Sequence, residues 1–222
     1  MGTDDLFKRR KARKSEASAR EKELRESYDK VLIVCEGEKT EPIYLERLRK
    51  FFDLSQTNIV IDPNSDSSPT SVVKYAKKQI IKEREVPYDR VFCVIDRDRH
   101  ADFGDAINLI EGYRSRQTRL EAIVSYPCFE YWLLLHFEYT TMVFGVSGGS
   151  PCDDLIARKL KIYTPNYAKA DQESIETLVN QVQIDQAVSF AQRANEAAKR
   201  ERRVSPATQM PTLVEYLKNL KN

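Results

Sequence analysis

Two runs of five consecutive apolar residues, Val31-Leu32-Ile33-Val34-Cys35 and Val91-Phe92-Cys93-Val94-Ile95, stand out along the chain. A run with no polar position has no face to offer water, so each predicts a strand buried on both sides. Asn58–Ile61 and Leu120–Ser125 read as two further strands. Between them the apolar spacing changes to that of helices. Ile43, Tyr44, Leu45, Leu48 and Phe51 form the apolar side of one, with Thr40 as its cap and Glu41 and Pro42 in its first turn. Val72, Val73, Ala76 and Ile80 mark a second, from about Pro69 until Pro87 ends it. A third is expected from Phe103 to about Arg116. A very apolar one runs from Cys128 to Phe137, after Tyr126-Pro127.

Strand followed by helix, four times over, predicts an α/β fold: a Rossmann-like, mostly parallel sheet flanked by helices on both faces. Past a Gly- and Ser-bearing loop at 144–150, the segments 153–162 and 171–203 read as helical. The second carries Ile175, Leu178, Val179 and Val182 on one face, and a short helix from about Thr212 to Leu220 follows. The expected organisation is a basic N-terminal arm (1–29), an α/β domain (30–150) and a C-terminal helical extension packed on it (151–222).

Composition adjusts this picture in three ways. The 222 residues are 41% hydrophobic, enough for a real core, and 32% charged, above the usual quarter or so. The net charge is only +2, so any affinity for nucleic acid must come from local patches. No apolar run is long enough to span a membrane, and the polar N-terminus does not read as a secretory signal. The four cysteines form no CxxC pair, and three sit in apolar surroundings, as core thiols do. A reducing, cytoplasmic setting is therefore expected.

Open α/β sheets bind ligands at the carboxyl ends of their strands. Glu36 follows the first strand here and Asp96 the third, with Asp98 two residues further on the same side of an extended backbone. Gly37 leaves room beside the main chain. Crowded carboxylates stay ionised at modest cost when a cation lies between them, and an all-oxygen donor set suits Mg²⁺ or Mn²⁺. The plainer alternatives are a solvated turn at Asp96-Arg97-Asp98 and a helix-dipole contact for Glu36. Lys39 approaches a helix N-terminus, either as a phosphate contact or as an exposed lysine. The surrounding loop lacks the spacing of a P-loop. His100, beside the acidic pair, is placed to touch substrate or shuttle protons, or is simply exposed. His136 lies in an apolar helix and reads as a hydrogen-bonded core residue. Glu130, charged within Pro127-Cys128-Phe129-Glu130-Tyr131-Trp132, either favours a helix dipole or serves as a second-metal ligand. The arm Lys8-Arg9-Arg10-Lys11 is a phosphate-binding or merely solvated segment, and Arg97 and Arg99 are further candidate backbone contacts.

At these residues the chain resembles the RloB family, which belongs with the Toprim-like proteins. The likeness rests on Leu32-Ile33-Val34-Cys35-Glu36-Gly37-Glu38-Lys39-Thr40-Glu41-Pro42, on Val94-Ile95-Asp96-Arg97-Asp98 and on Ser125-Tyr126-Pro127-Cys128-Phe129-Glu130-Tyr131-Trp132-Leu133-Leu134-Leu135-His136-Phe137. Pro206-Ala207-Thr208 leading into Leu213-Val214 is a weaker match. The resemblance implies a Toprim-like fold in which Glu36 is a general acid/base and Asp96 and Asp98 hold Mg²⁺. It further implies a nuclease, of RNA or DNA, in antiphage defence and abortive infection, paired with an RloA-type ATPase. A homo-oligomer is compatible with it. The alternative is a catalytically weak nucleic-acid-binding or sensor module that serves the ATPase. Nucleotidyl transfer ranks lower, because no zinc ribbon is present.

Overall fold

The computed structural model describes residues 28–65, 68–97, 100–146, 148–168 and 172–221. The two apolar runs become β1 (Val31–Cys35) and β3 (Arg90–Asp96), which lie side by side and parallel, with Cys35 opposite Val94. β2 (Ile59–Asp62) pairs with the other edge of β1, and β4 (Arg119–Tyr126) with β3, both parallel. β2 is displaced by one residue from its expected span, because Asn58 turns its side-chain amide to the Tyr28 carbonyl and its own carbonyl to the amide of Val31. A two-residue strand, β5 (Ala207–Thr208), closes the order β2-β1-β3-β4-β5 and runs antiparallel to β4.

Alternate strand residues feed two separate cores, as a period of two requires. Leu32, Val34, Val91, Cys93 and Ile95 pack against α2 (Pro69–Lys82) and α3 (Phe103–Glu111). Val31, Ile33, Cys35, Phe92 and Val94 face the opposite way. There they meet α1 (Thr40–Phe51) and α4 (Phe129–Leu134), together with α8 (Gln181–Arg200) and α9 (Met210–Lys218) from the C-terminal segment. Met210, Leu213, Val214 and Leu217 of α9 are essentially inaccessible in this core. The fold is thus α/β, a mostly parallel five-stranded sheet flanked by helices, with a helical C-terminal part.

Four local expectations need correction. The helix expected over 171–203 is broken into α7 (Gln172–Thr177) and α8. The Asn180 side chain accepts from the Gln183 amide and starts a new helix. That competition between side chain and ladder is why Asn favours helix starts over interiors. Val182, one residue into α8, consequently points to solvent, while Ile175, Leu178 and Val179 are buried. Thr40 is the first helical residue of α1 and does not cap it; Lys39 occupies the cap position without a side-chain bond. α3 stops at Glu111, and α4 spans only Phe129–Leu134 before a loose turn.

A further correction concerns sulfur. Cys35 and Cys93 are buried free thiols, and burial pushes both up in pKa, Cys93 to about 12, which leaves them inert. Cys128 and Cys152 are instead joined as a disulfide. It ties the residue before α4 to α5 (Pro151–Leu155), which continues through a π-helical segment, Ile156–Leu160, into the short α6 (Lys161–Tyr163). Apolar neighbours in sequence do not reveal a pairing made across 24 residues. Among the described residues no helix is long and apolar enough to cross a membrane.

An acidic cleft at the strand switch point

The strand order places a gap where it is useful. β1 connects through α1 to β2 on one side, and the next connection, through α2, brings β3 to the other side of β1. The loops leaving β1 and β3 therefore diverge, and a crevice opens beyond their carboxyl ends. Glu36 and Asp96 lie there. Their backbones are held in step by the Glu36 amide, which donates to the Val94 carbonyl at 3.1 Å.

The Glu36 side chain turns inward and is only 8% exposed. Its Oε2 accepts the amide of Asp96 at 3.0 Å, so the strand-end acid of β1 is fastened to the strand-end residue of β3. Its Oε1 lies 3.3 Å from His100 Nε2, on an imidazole that is 40% exposed. Asp96 itself is half-buried. Glu36 thus touches both the Asp96 backbone and the His100 ring.

A cleft of about 250 Å³ opens at this point, lined by Gly37, Glu38, Lys39, Thr40, Glu41, Asp96 and Glu130. Lys39 and Glu38 are exposed at its rim. Glu41 and Glu130 are buried, at 7% and 3% exposure. Glu41 was assigned above only to the first turn of α1. Its carboxylate folds back over the backbone at Gly37, where a Cβ would collide with it. Gly37 thus makes room for a side chain of this chain.

Glu130 reaches the cleft from the first turn of α4. Its Oε1 accepts from the Tyr167 hydroxyl at 3.3 Å, and its Oε2 lies 3.2 Å from Sγ of Cys152. Burial and the Glu130 charge both raise the pKa of Tyr167, so its hydroxyl keeps the proton it donates. Tyr167 lies in a short loop after α6, and nothing in its sequence context points to the cleft.

Arg97 does not line the cleft. Arg97 is exposed, and its guanidinium lies 4.6 Å from the centre of the Phe103 ring and 5.9 Å from that of Tyr126. Asp98, Arg99, Lys8, Arg9, Arg10 and Lys11 lie outside the described residues. His136 is buried away from the cleft, between the Tyr44 hydroxyl on Nε2 (3.1 Å) and the Trp132 carbonyl on Nδ1 (3.0 Å).

The fold and the cleft define an α/β protein with carboxylates gathered at the switch point of a parallel sheet. The chain belongs to the RloB-like family, which it matches over residues 31–217. No curated protein and no solved structure matches it.

Proposed function

We propose that the chain is a metal-dependent, Toprim-type phosphodiesterase that cuts nucleic acid. The observation that carries this reading is a cleft at the carboxyl ends of β1 and β3 lined by Glu41, Asp96 and Glu130, with Glu36 fastened to the Asp96 amide beside it. Carboxylates that share one partly buried cleft stay ionised at least cost when a cation lies among them. The donors are oxygens only, which fits a hard ion such as Mg²⁺ or Mn²⁺. Asp96 and Glu36 would hold it, with Asp98 and, for a second ion, Glu130. When bound, it would withdraw charge from a phosphoryl oxygen and lower the pKa of a coordinated water.

The remaining steps fall to the chain's own groups. Oε2 of Glu36 is committed to the Asp96 amide, so Oε1 is the atom that exchanges a proton with water, and His100, at 3.3 Å, is placed to pass that proton to solvent. Lys39 and the first amides of α1 stand at the rim, where they would neutralise a phosphate. Arg97, braced on Phe103 and Tyr126, would hold a neighbouring backbone phosphate. The Lys8–Lys11 arm and Arg99 would add charge along the strand. Antiphage defence and an RloA-type ATPase partner belong to the same reading through the family.

The test is to incubate the purified protein with tRNA, single-stranded DNA and duplex DNA in Mg²⁺, Mn²⁺ or EDTA. We expect metal-dependent cleavage of at least one substrate, and a loss of two or more orders of magnitude in Glu36→Gln and Asp96→Asn. Cleavage that persists in both variants, or in EDTA, contradicts the proposal. Binding without cleavage favours the sensor-module alternative.

A further inference from the structure

The acids of the cleft are not held alike. Glu36 is fastened by a main-chain amide within the sheet. Glu130 sits on a six-residue helix, and two features from the C-terminal half of the chain touch its carboxylate: the Tyr167 hydroxyl and Sγ of Cys152. Cys152 is bonded to Cys128, the residue that immediately precedes α4. The disulfide therefore joins the base of the helix bearing Glu130 to the first turn of α5, and one of its sulfurs packs on the Glu130 carboxylate.

We infer that the Cys128–Cys152 disulfide is a redox control on the cleft: oxidised, it fixes Glu130 in place, and reduced, it frees α4 and α5 and withdraws the buried carboxylate from its set position. This rests on the reading of the cleft as a divalent-metal site and assigns that site a regulation. The exchange needs two equivalents of a low-molecular-weight thiol. The first thiolate attacks one sulfur and displaces the other, and the second thiolate resolves the mixed disulfide. The two protein sulfurs each gain one electron and one proton, and the two reductant sulfurs leave as a disulfide.

Access fits this chemistry. Both cysteines are almost fully buried, at 2% and 3% exposure, yet Cys152 contacts Glu130, which lines the open cleft. A thiolate entering there passes several carboxylates, so exchange by small anionic thiols is expected to be slow. Cys35 and Cys93 are buried in the sheet with their pKa values pushed up by burial, and are poor competing nucleophiles. Supporting groups around a metal ligand typically change affinity by about 10- to 100-fold when lost.

The experiment compares full-length protein oxidised in air with protein reduced by a phosphine. Mass spectrometry after alkylation under denaturing conditions should count two free thiols in the first and four in the second. Mn²⁺ titration should give an affinity weaker by about tenfold in the reduced form. Amide exchange over Phe129–Leu134 and Pro151–Leu155 should quicken on reduction. Cys152→Ala, once shown by circular dichroism to be folded, should match the reduced protein whatever the oxidant. Four free thiols after oxidation, or unchanged exchange across α4 and α5, overturns the inference. So does an equal Mn²⁺ affinity in both states. If neither state binds Mn²⁺ but exchange still responds, the metal-site reading fails and the redox coupling to Glu130 stands.

Discussion

At the scale of single residues, His136 has an unambiguous protonation state. The Trp132 carbonyl can only accept, so Nδ1 carries the proton and Nε2 accepts from the Tyr44 hydroxyl. Burial drives the imidazole pKa down to about 4. An unfolded histidine titrates near 6.5, so between the two values the unfolded chain takes up a proton and the folded chain does not. Stability is then full above about pH 6.5 and declines as pH falls towards 4, by on the order of 3 kcal/mol in total. Urea unfolding at a series of pH values should find this slope in the wild type and lose it in His136→Gln. The role of His136 was legible from its apolar helical setting. Those of Glu41 and Tyr167 were not, because each depends on a side chain folding back across a loop or on a segment distant in sequence.

Among the elements, β1 and β3 were the easiest to read, since strands covered on both faces have continuous apolar runs. β5 has only two residues, paired with Ser125 and Tyr126, and the Thr208 and Ser125 hydroxyls meet there across 83 positions, a contact that local pattern cannot carry. The break between α7 and α8 was hidden for a different reason. The apolar spacing of Ile175, Leu178 and Val179 continues smoothly to Val182, and only the capping geometry of Asn180 ends it. Asn180→Ala should therefore cost about 1 kcal/mol. For a chain of this size that lowers Tm by roughly 2–4 °C, which calorimetry can resolve. An unchanged Tm would mean that the cap contributes nothing to holding the break. Asn180→Asp keeps an accepting oxygen and should retain most of the stability.

The whole molecule places one crevice between β1 and β3, and the sequence supplies carboxylates at that crevice from four separate elements or their ends. The two strand-end acids were legible because topology, not side-chain detail, decides where they meet. Glu130 was recognisable only as a misplaced charge in an apolar helix, and its partners Tyr167 and Cys152 come from the C-terminal part that shares a core with the sheet. That C-terminal part braces Glu130, while the residues lining the cleft come from the strand–helix units before it. The central claim is that this crevice is a divalent-cation site, and Mn²⁺ titration of the folded protein by calorimetry tests it most directly. We predict saturable binding in the wild type, weakened by about 10- to 100-fold in Asp96→Asn and in Glu36→Gln. Wild-type protein that binds no Mn²⁺, or variants that bind it as tightly as the wild type, would contradict the account.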